Sequence, residues 1–296
     1  MKVSIDHYEN LKNNTPLTIA IGNFDGVHLG HQTLIDKVKS FKDTKAAVLT
    51  FHPHPLKVLR DVEFQQIMSL PEKIHYLNET KLDYLFVARF DKAFYTLDVL
   101  GFINFLKQLS VKRVIVGRDF RFAYHAQGSV SDLKAHFDVV VMADYKKESI
   151  RISTTYIKDL IYASKLDEAK ALLGRPYQIT AKVIHGSQVG HTLGFPTANL
   201  MYDNYVLPRN GVYDVRVKYR NKLYKGALNI GYNPTINYSH KKRVEVYLLD
   251  FSGNLYDEEL TIYFVKFIRP ELKFDSKEAL IEQMREDVNL IKQASL

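Results

Sequence analysis

The sequence predicts an α/β domain with a doubly wound parallel sheet, followed by a mainly antiparallel β-barrel domain with a C-terminal helix. Apolar strand-like runs alternate with amphipathic helical patterns through the first half of the chain, whereas period-two alternation replaces them in the second half. The two patterns are those of buried βα units and of half-buried strands. A length of 296 residues also suits two domains of ordinary size.

Short apolar runs predict the strands of the first domain, at residues 17–21, 46–51, 84–87, 114–116 and 139–142. Continuous apolar runs of this length are typical of parallel strands that are buried on both faces. The stretches between them place apolar residues on one helical face, at Leu34, Ile35, Val38 and Phe41 and at Phe102, Phe105 and Leu106. The resulting β-α-β-α order predicts a doubly wound sheet.

The end of the first domain is marked by a change of pattern. A helical pattern covers residues 155–173, and Gly174 and Pro176 then interrupt it, as expected just beyond a helix C-terminus. Strand-like alternation begins after this interruption. We therefore place the boundary after Gly174 and predict domains at residues 1–174 and 175–296.

Alternating residues predict antiparallel strands in the second domain, which we expect to close into a small barrel. One face of such a strand carries Tyr213, Val215, Val217 and Tyr219, and the other carries Asp214, Arg216 and Lys218. Similar alternation follows at residues 244–248 and 260–264. Ser276 is the predicted N-cap of a final helix. Its apolar stripe, which we interpret as a packing face rather than a cofactor site, comprises Leu280, Met284, Val288 and Ile291.

Composition narrows the functional class. The chain has no cysteine, which excludes disulfides, thiolate metal sites and a cysteine nucleophile. Residues 1–14 are polar, and no apolar run approaches the roughly 18 residues of a membrane span. We therefore expect a cytoplasmic protein without a membrane partner. The net charge of +8 suits polyanionic substrates, and we interpret its densest run, at residues 241–243, as a solvated face rather than a nucleic-acid site.

The strongest chemical signal follows the first buried strand, where residues 22–31 read Gly-Asn-Phe-Asp-Gly-Val-His-Leu-Gly-His. A βα turn lies at the ligand-binding edge of a parallel sheet, and the N-terminus of the next helix offers N–H groups to phosphate. Gly30 lets the backbone approach closely, and the His28 and His31 imidazoles can donate to phosphate charge. A zinc site that adds the histidines of residues 52–54 is the weaker alternative.

These residues resemble the His-x-Gly-His motif of nucleotidylyltransferases, and specifically that of bacterial bifunctional riboflavin kinase/FMN adenylyltransferases. The resemblance continues with Thr-Phe-His-Pro-His-Pro at residues 50–55, Val-Gly-Arg-Asp-Phe-Arg-Phe at 116–122 and Ile-Ser-Thr-Thr-Tyr-Ile-Lys at 152–158. It implies a first domain in which the FMN phosphate attacks the α-phosphorus of ATP and pyrophosphate leaves. Such a reaction depends on positioning and charge stabilisation rather than on a covalent nucleophile.

The resemblance also implies roles for individual residues of this domain. His28 and His31 are expected to hold the triphosphate as catalytic residues. The expected nucleotide and phosphate contacts are Gly22, Asn23, Phe24, Asp25, Gly30, Asp119, Thr154, Thr155 and Lys158. An isoalloxazine ring needs flat apolar walls, and the candidates for these walls are Phe51, Pro53, His54 and Phe122.

A second motif lies in the predicted barrel. Residues 186–199 contain three glycines spaced four apart and end in Pro-Thr-Ala-Asn. This pattern resembles the riboflavin kinase motif, which implies that Thr197 and Asn199 are ligands of the Mg2+ that accompanies ATP, since hydroxyl and amide oxygens suit a hard cation. The expected phosphate-binding glycines are Gly186, Gly190 and Gly194.

The same resemblance assigns Glu245 as the general base that accepts the proton of the riboflavin 5′-hydroxyl. Asn229 opens the segment Asn-Ile-Gly-Tyr-Asn-Pro-Thr, which is expected near the flavin. The implied activities are the phosphorylation of riboflavin to FMN and the adenylylation of FMN to FAD. The implied partners are small molecules: ATP, riboflavin, FMN, FAD and pyrophosphate.

The chain departs from the family pattern at four positions. Lys158 replaces an arginine and lacks its planar fork, Ala123 replaces a glycine, Ser187 replaces an acidic residue, and His191 replaces an arginine. These departures leave open a monofunctional FMN adenylyltransferase with a degenerate kinase domain, or the mirror case. A flavin- or RNA-binding regulator is disfavoured because a pure binder does not need the base Glu245. The barrel domain disfavours a generic nucleotidylyltransferase.

Overall fold

The computed structural model describes residues 1–60, 64–147, 150–186, 194–231 and 242–294. The chain divides by its contacts into two units. Unit 1 comprises Met1–Gln66 and Leu70–Thr154, and unit 2 comprises Ile67–Ser69 and Thr155–Leu296. Residues 155–173 therefore belong to unit 2 by contacts, and the expected boundary after Gly174 falls within that unit.

Unit 1 is built on a six-stranded sheet in which neighbouring strands are parallel. Its strands are β1 Lys2–Asp6, β2 Leu17–Ile21, β3 Lys45–His52, β4 Tyr84–Arg89, β5 Val111–Gly117 and β6 Asp138–Met142. They lie in the order β1-β4-β3-β2-β5-β6. The strands β2 to β6 are the predicted ones, so the parallel α/β prediction for the first domain is confirmed.

The edge strand β1 has no counterpart in the sequence prediction. It reads Lys-Val-Ser-Ile-Asp, and even Ile5 is 54% exposed. No buried apolar run marks such a strand in the sequence. Residues Lys2 to Asp6 pair with β4 through backbone hydrogen bonds, which the hydropathy pattern of the sequence cannot predict.

The helices of unit 1 are short, and side-chain caps fix several of their N-termini. They are α1 Leu29–Ser40, α2 Pro55–Leu59, α3 Leu70–Glu79, α4 Lys92–Tyr95, α5 Val99–Gln108 and α6 Val130–Lys134. In α5, the Asp98 carboxylate accepts a hydrogen bond from the Gly101 N–H at 2.7 Å. Phe102, Phe105 and Leu106 are buried, as the predicted apolar face requires. A two-stranded ribbon, β7 Lys146–Lys147 and β8 Ile150–Arg151, precedes Thr154.

Unit 2 contains the predicted closed antiparallel barrel. Its elements are α7 Thr154–Tyr162, α8 Leu166–Leu173, β9 Gln178–Ile184, β10 Thr197–Tyr202, β11 Gly211–Tyr219, β12 Lys222–Gly231, β13 Arg243–Leu248, β14 Glu259–Arg269 and α9 Lys277–Gln293. The first residue of α7, Thr154, belongs to unit 1. The barrel order is β10-β13-β12-β11-β14-β9. Val244, Val246 and Leu248 are buried, as the alternation predicts, and form part of the interior.

The helical pattern predicted over residues 155–173 is confirmed, and the structure divides it into two helices. Ser164 lies between α7 and α8 with a φ of 58°, a left-handed conformation that ends the first helix. Gly174 then ends α8 at a φ of 77°, which confirms the predicted glycine terminator.

The alternation along β11 is confirmed, and Lys218 on its polar face is exposed, but the other two residues of that face are not. Asp214 and Arg216 are both buried and form an ion pair with each other. Burial raises the pKa of the Asp214 carboxyl, and the Arg216 guanidinium opposes that rise. The alternating sequence pattern therefore predicted correctly on which face of β11 these side chains lie, but it did not predict that they are buried.

The final helix is capped as predicted, since the Ser276 hydroxyl accepts a hydrogen bond from the Ala279 N–H at 3.1 Å. α9 packs against β12, and Val288 and Ile291 contribute to an apolar cluster there. The stripe is more than a packing face, because Leu280, Met284 and Val288 also line a cavity. None of the helices in the described part of the chain is both long and apolar enough to cross a membrane.

Candidate active sites

The first candidate site is the β2–α1 turn, residues 22–28, at the carboxyl edge of the parallel sheet. Phe24, Gly26 and Val27 have φ values of 49°, 88° and 39°. Left-handed backbone is costly for residues with a Cβ, and most costly for a β-branched residue such as Val27. The surrounding structure must therefore hold the turn in this shape, as strained functional loops require.

Side chains from several elements hold the turn through its carbonyl oxygens. The Asn23 oxygen accepts from Thr50 Oγ1 at 3.0 Å and from Lys73 Nζ at 2.6 Å. The Asp25 oxygen accepts from Thr154 Oγ1 at 3.3 Å. These donors come from β3, α3 and the first residue of α7. Lys73 was not identified from the sequence, because nothing in the pattern of α3 indicates that this lysine faces the turn.

The two histidines form a stacked pair at the start of α1. The rings of His28 and His31 are 3.6 Å apart between centroids and 15° from parallel. His28 is the N-cap, is 5% exposed, and accepts a hydrogen bond at Nδ1 from the His31 N–H at 3.2 Å. A neutral His28 with this bond carries its proton on Nε2 and can donate it. A Cβ added at Gly30 would lie 3.2 Å from the His28 ring, so a side chain there would press on the cap.

A cavity of about 780 Å³ opens beside the turn and brings several predicted residues together. Its walls include the predicted Gly22, Asn23, Phe51, Asp119 and Phe122. The carboxylate of Asp119 is exposed and pairs with Arg151 at 2.9 Å. Further aromatic residues of the lining, which the sequence motifs assigned to no site, include Phe90, Phe94, Tyr95 and Phe102. Their helical and strand patterns resembled ordinary core positions.

Two candidates for the flavin wall lie elsewhere in unit 1. The lining of this cavity, as far as the described residues go, includes neither Pro53 nor His54. Pro53 follows a cis peptide bond at the end of β3. The His54 ring stacks on Phe64 at 4.0 Å, and its Nδ1 caps α2 by accepting from the Leu56 N–H at 3.2 Å.

One rim of the cavity is a loop in an unusual backbone conformation. Ala123, His125 and Ala126 have φ values of 64°, 52° and 57°. Ala123 combines its φ with a ψ of 179°, a region that only glycine visits readily. The glycine that the family pattern has at this position would suit the conformation that Ala123 adopts.

Two further predicted phosphate ligands lie in unit 2. Thr155 is exposed and Lys158 is half-buried, both in the first two turns of α7. Their expected contact with phosphate stays a prediction.

The second candidate site is a row of polar side chains across three strands of the barrel. Glu245 of β13 lies directly opposite Asn199 of β10 on one side and Asn229 of β12 on the other. Directly opposed residues project from the same face of a sheet. Because Val244 and Val246 face the interior, this row lies on the outer face of the barrel. The barrel therefore places the expected base between two amides.

Glu245 is in an environment that suits a base. Its side chain is only 15% exposed, and the Arg243 Nη2 lies 3.6 Å from its Oε2. Burial raises the pKa of the Glu245 carboxyl, and the Arg243 guanidinium opposes that rise. Of the basic run at residues 241–243, the first lies outside the described residues. The other two are not simply solvated, because Arg243 borders the base and Lys242 Nζ donates to the Pro208 oxygen at 2.9 Å.

Glycine at position 186 has a clear steric reason. A Cβ added there would overlap the amide group of Asn199. Gly194 has a φ of 82°, which a side chain would strain. Gly190, Ser187 and His191 lie outside the described residues, as do residues 232–235 of the segment that Asn229 opens.

A cavity of about 400 Å³ adjoins the polar row. Thr197, Asn229 and Glu245 line it, whereas Asn199 points to Gly186 and is not part of the lining. α9 contributes the opposite wall. Arg269 and Asp287 also line the cavity and form a bidentate pair, with N to O distances of 2.8 to 3.1 Å. These two residues lie outside every motif, so no pattern in the sequence identifies them.

Comparison with known proteins gives the same assignment for both halves of the chain. A riboflavin kinase family model matches residues 173–295, and an FAD synthetase family model matches residues 10–156. Curated relatives described as bifunctional riboflavin kinase/FMN adenylyltransferase include proteins from Listeria monocytogenes and Bacillus subtilis, 38% and 36% identical. Each match covers 91% of this chain and 89% of the relative.

A relative from Escherichia coli K12 with the same description is 35% identical over 91% of this chain and 90% of its own length. A solved structure described as a macrolide-efflux protein from Streptococcus pneumoniae has a TM-score of 0.89 and 28% identity, with both chains covered over 100% of their length. That likeness concerns the fold, whereas the family models and the curated relatives agree in their descriptions. The chain therefore belongs to the family of bifunctional riboflavin kinase/FMN adenylyltransferases.

Proposed function

We propose that the chain phosphorylates riboflavin to FMN and adenylylates FMN to FAD, each reaction with ATP as the donor. The observation that carries this proposal is that each unit joins its own cavity to its own chemical motif. Unit 1 pairs an aromatic cavity with the capped turn, and unit 2 pairs a cavity with the base row. Matches to both family models favour two activities over a chain that keeps only the adenylyltransferase.

For adenylylation, a phosphate oxygen of FMN forms a bond to the α-phosphorus of ATP, and the bond to the bridging oxygen breaks to release pyrophosphate. The backbone N–H groups of the β2–α1 turn and the imidazoles of His28 and His31 stabilise the charge on the triphosphate. Phe51 and Phe122 are the proposed flavin walls. The proposed span of this function is residues 1–174.

For the kinase, the riboflavin 5′-hydroxyl oxygen forms a bond to the γ-phosphorus, ADP leaves, and Glu245 accepts the hydroxyl proton. A raised pKa makes a carboxylate a stronger base for this step. Asn229, which faces the same cavity, orients the flavin. The function spans residues 175–296.

The proposed ligands of a magnesium ion are Thr197 and, from the polar row, Asn199. Thr197 and Asn199 offer a hydroxyl and an amide oxygen two residues apart on β10, and the Asn199 amide packs where a side chain of residue 186 would lie. Bound Mg2+ would neutralise charge on the ATP phosphates. The chain's part is to hold these oxygens beside the base. We propose a cytoplasmic location, in keeping with a cysteine-free chain that uses ATP.

The test is a chromatographic assay of the purified full chain. One reaction contains riboflavin, ATP and magnesium, and a second contains FMN, ATP and magnesium. Formation of FMN in the first and FAD in the second supports the proposal. FAD from FMN without FMN from riboflavin would establish the monofunctional adenylyltransferase instead. No product in either reaction would refute both.

A further inference from the structure

Lys73 is the one buried lysine in the described part of the chain, with 6% of its surface exposed. It lies in the first turns of α3, fifty positions along the chain from the turn that it contacts. Its Nζ donates to the Asn23 carbonyl oxygen at 2.6 Å. A buried ammonium is costly unless its charge is used. The position therefore calls for a role beyond packing.

We propose that Lys73 is a positioning residue for adenylyl transfer, which fixes the β2–α1 turn in its phosphate-binding shape and adds a buried positive charge behind it. This inference rests on the assignment of FMN adenylylation to unit 1. The group that it serves is the triphosphate of ATP.

The first argument is geometric. A trans peptide is planar, so the carbonyl of Asn23 and the N–H of Phe24 point in opposite directions. By holding the Asn23 oxygen together with Thr50, Lys73 directs the Phe24 N–H to the other side of the turn. The left-handed φ values of Phe24 and Val27 are strained, and so the turn depends on such contacts.

The second argument is electrostatic. Burial lowers the pKa of Lys73 to about 8, and the charge of the buried Asp25 carboxylate opposes that fall. On β3, the pKa of His52 is lowered by burial and further by the charges of Lys73 and Lys57. Lys73 is therefore charged at neutral pH and loses its proton as the pH rises through about 8. The Lys73 charge lies behind the phosphate-binding turn. Phosphate binding must therefore weaken as the pH rises through about 8 and this charge is lost.

The experiment measures FAD formation from FMN in the full chain, with kcat and the KM for ATP determined between about pH 7 and about pH 9.5. The wild-type chain is compared with Lys73→Met, Lys73→Arg and the exposed helical control Lys107→Met. The rate of riboflavin phosphorylation by each variant serves as the control that the protein is folded. The pH dependence of the wild-type chain needs no variant, so a folding defect in one variant does not prevent a decision.

We expect Lys73→Met to lower kcat/KM for ATP by about 10- to 100-fold, since small displacements of a binding loop cost this much. In the wild-type chain and in Lys107→Met, KM for ATP should rise as the pH passes through about 8. Lys73→Arg, which stays charged, should retain activity and lose that rise.

The inference is overturned if kcat/KM of Lys73→Met stays within about twofold of wild type, or if the wild-type KM for ATP is constant across the pH interval. It is also overturned if Lys73→Arg keeps the wild-type pH dependence. Absence of FAD from the wild-type chain would instead refute the proposed function.

Discussion

In unit 1 the candidate site is made of strained backbone, whereas in unit 2 it is made of side chains on regular strands. The β2–α1 turn presents N–H groups, and side-chain donors from other elements fix its carbonyls. The barrel instead places Asn199, Glu245 and Asn229 side by side through ordinary strand pairing. Substitutions of residues that hold the backbone of the turn should therefore impair the first site. The second site should instead respond to substitutions of the individual side chains that form it.

The largest expected effect is a reciprocal loss of the two activities. Glu245→Ala removes the base and should lower FMN formation by about 10²- to 10⁴-fold. His28→Ala removes a donor and the cap of α1 and should lower FAD formation from FMN by about 10²- to 10³-fold. Initial rates of both reactions are measured on each variant, so that the unaffected reaction is the control. Loss of both activities in either variant, or of neither, would contradict the separate roles.

Gly186→Ala should have a smaller but still selective effect. The added Cβ overlaps the Asn199 amide, so this side chain must move. We expect kcat/KM of the kinase to fall by about 10- to 100-fold, with more Mg2+ needed for half-maximal rate. The matched control is Gly117→Ala, because a Cβ at Gly117 has no neighbour within 4 Å among the described atoms. A magnesium titration that Gly186→Ala leaves unchanged would argue against Asn199 as a ligand.

Ala123→Gly should stabilise unit 1. The change relieves a backbone conformation that suits only glycine, and we expect a gain of about 1 kcal/mol in the free energy of unfolding after the entropic cost of glycine. Urea titration of the full chain measures the change. The control is Ala171→Gly, at an exposed position within α8, which should destabilise by about 0.5 to 1 kcal/mol. Equal signs for the two variants would show that backbone strain at Ala123 is unimportant.

The smallest effect concerns the pH dependence of the kinase. Glu245 must be ionised to accept a proton, so activity falls as the pH drops through the pKa of this carboxyl. Arg243 lowers that pKa, while burial raises it. Arg243→Met should therefore move the acid limb of kcat to higher pH and change kcat at pH 8 by less than about fivefold. Lys222→Met, an exposed substitution on β12, is the control. If the acid limb of kcat in Arg243→Met moves to lower pH or does not move, Arg243 does not lower the pKa of Glu245.

Much of the fold could be predicted because it follows from local patterns. The buried strands of unit 1, the alternation in the barrel and the caps at Ser276 and Gly174 are each encoded by a few neighbouring residues. The edge strand β1 could not be predicted, because it is formed by backbone pairing and carries exposed side chains. The break at Ser164 could not be predicted either, since serine is only a weak signal for a left-handed residue.

The candidate sites divide in the same way. His28, His31 and Glu245 lie in contiguous motifs, and the structure places each beside a helix start or a polar row as the motifs suggest. Lys73 and Arg243 could not be found, because their importance depends on which distant element they contact. A lysine in a helix and an arginine in a basic run are, by pattern alone, ordinary surface residues.

The strand pairing around Glu245 links catalysis to folding. Side chains alternate along β13, so a shift of one residue against β10 or β12 would replace Glu245 on the outer face with Val244 or Val246. The carboxylate would then point into an apolar interior. A misregistered barrel therefore cannot be a slow kinase, but only an inactive one. The specific activity of the kinase is therefore proportional to the fraction of molecules whose barrel strands pair in the native register. It can serve as a sensitive assay of refolding yield.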